Sequence, residues 1–172
     1  MKAIRIHRCG GPETMELDEL PDPQPGPRQI VARAVAAGVN FFDTQVRSGL
    51  YRLGPPPTAL GNEGAGIVEA VGAEVADMRP GDRVAWIMTP GSYATHVLVN
   101  VDRLVRLPEA VSSETAAAVL FQGCTAHYLA RASFPLGPGK TCLVHSAAGG
   151  VGLLLCQAAT LLGAWVIGAV SS

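Results

Sequence analysis

The sequence has no clustered cysteine. Cys9, Cys124, Cys142 and Cys156 are scattered, with no C-x-x-C pair. That argues against a cysteine zinc cluster and against a disulfide framework, and it suits a reducing, cytoplasmic setting. Cys124 and Cys156 read as small core hydrophobes. Charge of one sign is also missing. Thirteen basic and 14 acidic residues leave a formal net charge of −1. No basic run points to nucleic acid, and no acidic tail is present. Residues 1–8 alternate apolar and polar side chains and lack the continuous apolar core of a signal peptide. We find no internal repeat and no low-complexity tract. Finally, residues 141–172 contain no Asp, Glu, Lys or Arg.

With 172 residues, 48% of them hydrophobic, the chain can bury a core in one or two domains. Nearly all the prolines and most of the charge lie in the first 110 or so residues. There, short β-like runs alternate with turn signals, at 2–7, 29–39, 63–75, 83–87, 92–99 and 103–107. A proline-rich turn lies between strands at 21–27, and one or two helical turns over 41–47 stop at Gly49. Such spacing predicts an irregular β-barrel-like domain. The pattern then changes. Ser112 or Ser113 caps a helix predicted over 114–132, with Glu114 in its first turn to complement the helix dipole.

Residues 145–152 read His-Ser-Ala-Ala-Gly-Gly-Val-Gly. A strand-like run (141–144) precedes them. A helix-like run (151–162) closed by Gly163 follows, and then a second strand (164–170). Strand, glycine turn, helix, strand is the opening unit of a dinucleotide-binding fold. Ala147, Gly149 and Gly152 fill the slots of G-x-G-x-x-G, with alanine in the first. The middle slot lets backbone amides approach a pyrophosphate, and the last lets helix and strand pack closely. The helix start adds N–H groups and partial positive charge. Two other readings stand beside this one. The charge-free stretch is long enough for a membrane span of about 20 residues, although glycines at 149, 150, 152, 163 and 168 break it into pieces. Alternatively, the turn is purely structural.

Six segments together resemble one family. They are Gly38-Val39-Asn40-Phe41-Phe42-Asp43, Arg47-Ser48-Gly49-Leu50-Tyr51, Leu60-Gly61-Asn62-Glu63-Gly64-Ala65-Gly66, Pro80-Gly81-Asp82-Arg83-Val84, Gln122-Gly123-Cys124-Thr125-Ala126-His127-Tyr128, and 143–152. The chain resembles the zeta-crystallin-like, NADPH-dependent quinone oxidoreductases of the medium-chain dehydrogenase/reductase superfamily, in their N-terminal part. The resemblance implies a mixed α/β fold: a GroES-like catalytic domain over 1–125, then the start of a Rossmann NADP-binding domain over 126–172. It also implies an incomplete chain, whether a fragment, a truncated gene product or a partial model, since full-length members are about twice as long. The implied activity is NADPH-dependent reduction of quinones or enone C=C bonds by hydride or electron transfer. The implied partners are a small-molecule quinone or enone, with no nucleic acid and no membrane, and the expected assembly is a homodimer.

By the same resemblance, Asn40 and Tyr51 are the catalytic candidates and line the nicotinamide end. Thr125 approaches that end too. Ala148, Gly149, Gly150 and Val151 hold the pyrophosphate, while Gly168 and Ser171 lie near the adenosine ribose. Zinc-dependent alcohol dehydrogenases carry Cys where this chain has Asn40 and His where it has Asn62. Asparagine is a poor zinc ligand, and no metal is expected. Glu63 survives from that motif. Close quinone reductases often have Tyr where this chain has Gln45. Tyr51 also reads as a loop tyrosine packed on the barrel, and Asn40 as a turn former after Val39. His7, His96, His127 and His145 read as structural. A non-catalytic role, as an NADPH-binding or structural crystallin-like protein of the same fold, is the alternative function.

Overall fold

The computed structural model describes residues 1–171. The chain forms two compact units, Met1–Ala118 and the stretch from Val119 onward. In the first, β1 (Lys2–Ile6) pairs antiparallel with β2 (Met15–Glu19). After the proline-rich loop come β3 (Gln29–Ala37), α1 (Phe41–Ser48), β4 (Thr58–Ala59), β5 (Glu63–Val71), β6 (Arg83–Ile87), β7 (His96–Asn100) and β8 (Leu104–Arg106). Two sheets result, one ordered β2-β1-β4 and one ordered β7-β3-β5-β6-β8. An Ala3–Ala94 bridge links the first sheet to the segment leading into β7.

The β1–β2 hairpin explains one miss. Residues 15–19 carry three acidic side chains and are mostly exposed, so no hydrophobic alternation marks them as an edge strand. The five-stranded sheet is legible because its inward positions are apolar. Ile30, Ala32, Val68, Val84, Trp86, Val97 and Val99 form its buried cluster. Fully burying a side chain the size of Ile30 contributes about 1.5–3 kcal/mol. The buried Trp86 indole donates to Ser92 Oγ at 3.0 Å, so its N–H is not orphaned. A second cluster, Ile6, Val46 and Leu60, packs α1 against the smaller sheet together with Phe42 and Tyr93. This cluster fixes where the start of α1 sits.

α2 (Ser113–Tyr128) begins with Ser112 Oγ accepting the Thr115 N–H at 3.1 Å, which settles the cap on Ser112. Glu114 is held below the usual carboxylate range, chiefly by a backbone N–H and then by Ser112. A π-helical turn, Leu129–Ser133, ends this helix. The second unit continues with β9 (Thr141–His145), α3 (Gly150–Leu161) and β10 (Trp165–Ala169). β9 and β10 run parallel, in register from Thr141–Trp165 to His145–Ala169. Gly163, at φ 80°, turns the chain out of the helix. The charge-free stretch is thus cut into strand, helix and strand, and no described helix is long and apolar enough to cross a membrane.

One core assignment is corrected. Cys124 is exposed, and Cys156 is half-buried. Ala126 and Ala130, four apart, form the buried stripe of this helical stretch, and Cys124 falls on the side of His127 and Tyr128.

Candidate active site and nucleotide turn

In the first unit the sequence candidates gather around α1. Asn40 is its N-cap, with extended backbone (φ −117°, ψ 149°), and is only 7% exposed. The spacing Asn40-x-x-Asp43 is a capping arrangement. The Asp43 carboxylate accepts the Asn40 N–H at 2.9 Å, and the Asp43 N–H donates to the Asn40 carbonyl at 3.0 Å. Asn40 Nδ2 donates to Glu63 Oε1 at 2.7 Å, with both residues buried. Tyr51 follows the far end of the same helix, beyond the Gly49 C-cap at φ 85°. Its N–H donates to Gln45 O, and its ring lies 5.3 Å from the Phe42 ring at 58°. Its side chain is half exposed.

Three further residues, Asp43, Tyr93 and Met88, belong to this neighbourhood. Asp43 was findable from the cap spacing. Tyr93 was not, because its hydroxyl reaches Asp43 Oδ2 (2.8 Å) from 50 residues away. Burial first, and then the Asp43 and Glu63 carboxylates, push the Tyr93 phenol well above its ordinary value. Met88 is the third. Asn62, buried beside Glu63 in sequence, directs its Nδ2 at the Met88 sulfur, 3.9 Å away. Met88 itself has φ 53°, a conformation costly for a non-glycine residue, and half its surface is exposed. Exposed Val39 and Phe41 flank Asn40 in the sequence.

In the second unit, Ala148, Gly149 and Gly150 lie in the exposed turn and helix start after β9, and Val151 is half-buried beside them. Gly149 caps α3, and the Leu153 N–H makes a bond to the Gly149 carbonyl (2.8 Å). The amides of Gly150, Val151 and Gly152 therefore precede the helical ladder and have no acceptor within it. Ala147 N–H donates to Ala169 O, which ties the turn to the end of β10. A Cβ on Gly152 would overlap the Ser146 carbonyl oxygen, which accounts for the glycine at the last slot. A Cβ on Gly150 would instead overlap the Gln122 side-chain amide. Gln122 of α2 thus lies against the turn, a contact the sequence did not reveal. Ser146 sits at φ 53°. Gly168 pairs with Val144 in the ladder and faces Ala147, and Ser171 is exposed just past β10. Thr125, half-buried on α2, donates its hydroxyl to Phe121 O at 3.0 Å. The structure therefore brings the turn residues, Gly168 and the strand end together within this unit.

The histidines do not gather. His7 Nε2 lies 3.1 Å from Asp18 and His96 Nε2 lies 3.1 Å from Glu69, while His127 and His145 are exposed. His7, Glu16 and Asp18 place ligand-type atoms within 4.8 Å of one another on the β1–β2 hairpin. Arg5 already pairs with that aspartate at 3.1 Å.

Comparison with known proteins finds similarity along both units. Residues 26–109 match the model of the alcohol dehydrogenase GroES-like domain. A quinone oxidoreductase of Pseudomonas aeruginosa is 49% identical over 99% of this chain and 53% of its own length. The solved structure of the Escherichia coli quinone oxidoreductase complexed with NADPH superposes with a TM-score of 0.97 at 40% identity, covering 100% of this chain and 53% of that one. A Pseudomonas syringae quinone oxidoreductase gives 0.96 at 47% identity, covering 99% and 53%. In line with the resemblance carried by the sequence motifs, the chain is similar to quinone oxidoreductases over nearly its whole length, and it spans about half the length of the curated relatives it matches.

Proposed function

We propose that the chain is part of an NADPH-dependent reductase that passes a hydride, or an electron, to quinones or to enone C=C bonds without zinc. The observation that carries the reading is the β9–turn–α3–β10 unit. Its glycines clear the approach to the helix start, and its first-turn amides and dipole suit a pyrophosphate. Ala148, Gly149, Gly150 and Val151 would hold that group. Gly168 and Ser171, at and just past the end of β10, would lie beside the adenosine ribose, and Thr125 nearer the nicotinamide. No carboxylate stands among residues 164–172 to repel a 2′-phosphate, which favours NADP(H) over NAD(H).

The bound dinucleotide supplies the hydride. The chain's own part is to orient the acceptor and to hydrogen-bond the oxygen that gains charge. Asn40 and Tyr51 carry suitable donors. Zinc has little hold here, because Asn40 and Asn62 offer only neutral amide oxygens, poor ligands beside thiolate and imidazole. The same reading carries a homodimer and a cytoplasmic setting in which the cysteines stay reduced. The test is quinone-dependent NADPH oxidation by the protein expressed from its complete reading frame. kcat/KM at least about tenfold higher with NADPH than with NADH is expected. Equal values would remove the cofactor assignment.

A further inference from the structure

Asn40 is held by two carboxylates from different parts of the chain. Glu63, the first residue of β5, takes one hydrogen of its side-chain amide at 2.7 Å. Asp43 takes its backbone N–H at 2.9 Å and is itself gripped by the Tyr93 hydroxyl at 2.8 Å. Asn40, Asp43 and Glu63 are each less than a tenth exposed. We infer that Glu63 and Asp43, with Tyr93 behind Asp43, are positioning residues that lock the Asn40 side-chain amide in one of its two flip states.

An asparagine amide rotated by half a turn keeps its shape and exchanges its oxygen for its nitrogen. Against a neutral neighbour that can both give and accept, both states are tolerated. Against a carboxylate, which only accepts, the flipped state sets oxygen on oxygen in a buried place and forfeits a charge-assisted bond. Glu63 therefore decides which end of the amide is left for a ligand: the second Nδ2 hydrogen, a donor of fixed direction. The reciprocal Asn40–Asp43 bonds hold the backbone from which the amide projects. The Tyr93 phenol, pushed to higher pKa by burial and by both carboxylates, stays protonated and keeps donating to Asp43. The fold makes room for this arrangement at Gly38, where a Cβ would overlap the Glu63 carboxylate. A donor already aimed needs no reorganisation when charge develops on an acceptor oxygen.

This rests on the reading of Asn40 as a group that meets the acceptor, and the test separates the two. The variants Glu63→Gln, Asn40→Ala and the double variant are made in the protein expressed from its complete reading frame, and kcat and KM are measured with NADPH and a simple benzoquinone. Glutamine offers Asn40 either an oxygen or an NH₂, so the lock is lost. Glu63→Gln is expected to lower kcat about tenfold, with KM for NADPH within about twofold. Tyr93→Phe should lower kcat about threefold by loosening Asp43. In the Asn40→Ala background, Glu63→Gln should cost nothing more, because the group it orients is gone. Unchanged kcat in Glu63→Gln, or an equal loss with and without Asn40, overturns the inference and leaves the proposed function standing. Unchanged kcat in Asn40→Ala alone overturns the role of Asn40 and the inference with it. If Glu63→Gln does not fold, the same cycle run with Glu63→Asp, which withdraws the acceptor by one methylene, decides between the same outcomes.

Discussion

Asn40 shows how one residue type carries two duties at once. It is a good helix cap, which alone explains its presence, and its side-chain amide nitrogen also donates to Glu63. Asn40→Ala and Tyr51→Ala should each lower kcat/KM about tenfold or more. Melting temperature should fall by only a few degrees in Tyr51→Ala, whose side chain is half exposed, and by more in Asn40→Ala, which loses both an N-cap and the buried bond to Glu63. Steady-state kinetics beside thermal melts check this. Unchanged kcat/KM would make both residues structural. Tyr93 adds a pH prediction. Its folded pKa is raised, so its neutral form is favoured in the fold. The stabilisation it provides is complete below the unfolded value of about 10 and is lost as pH rises beyond it. Denaturant melts should show stability falling above about pH 10, and Tyr93→Phe should flatten that fall.

At the scale of elements, turn chemistry and periodicity made most of the fold legible. The 83–87 strand matches β6 (Arg83–Ile87) residue for residue, because alternating apolar residues face a real core there. α1 was readable from its Gly49 stop, though Asn40 read as a turn former rather than as its cap, and α3 was readable from its glycine turn. β2 and β4 were not readable, since one is an acidic edge strand and the other has only two residues. In the site, cap spacing is local and visible in sequence, but the pairs Asn40–Glu63, Asp43–Tyr93 and Gln122–Gly150 join distant positions that no local pattern encodes. The nucleotide turn yields a test of its packing. In Gly150→Ala the new methyl meets the flexible end of Gln122, and in Gly152→Ala it meets the backbone of Ser146. Both should destabilise, by about 1–3 kcal/mol. Gln122→Ala should restore much of the loss in the first and none in the second. Equal rescue, or none in either, would mean that the turn is packed differently.

At the scale of the whole chain, the two units carry different burdens. The first buries its own apolar cluster. The second has a sheet of two strands and leaves Leu143, Trp165 and Ile167 of those strands exposed, with Leu161 of α3. Residues 1–172 on their own are therefore expected to associate or precipitate and to lack hydride transfer. Light scattering together with an NADPH-oxidation assay checks this, and a monodisperse, active 172-residue chain would refute it. The central claim is NADPH-dependent quinone reduction without zinc. It is tested most directly by following NADPH absorbance with a simple benzoquinone, using protein from the complete reading frame after exhaustive chelation and elemental analysis. The account predicts undiminished quinone-dependent turnover at far less than one zinc per chain. Turnover that disappears with the metal and returns with added zinc would contradict it.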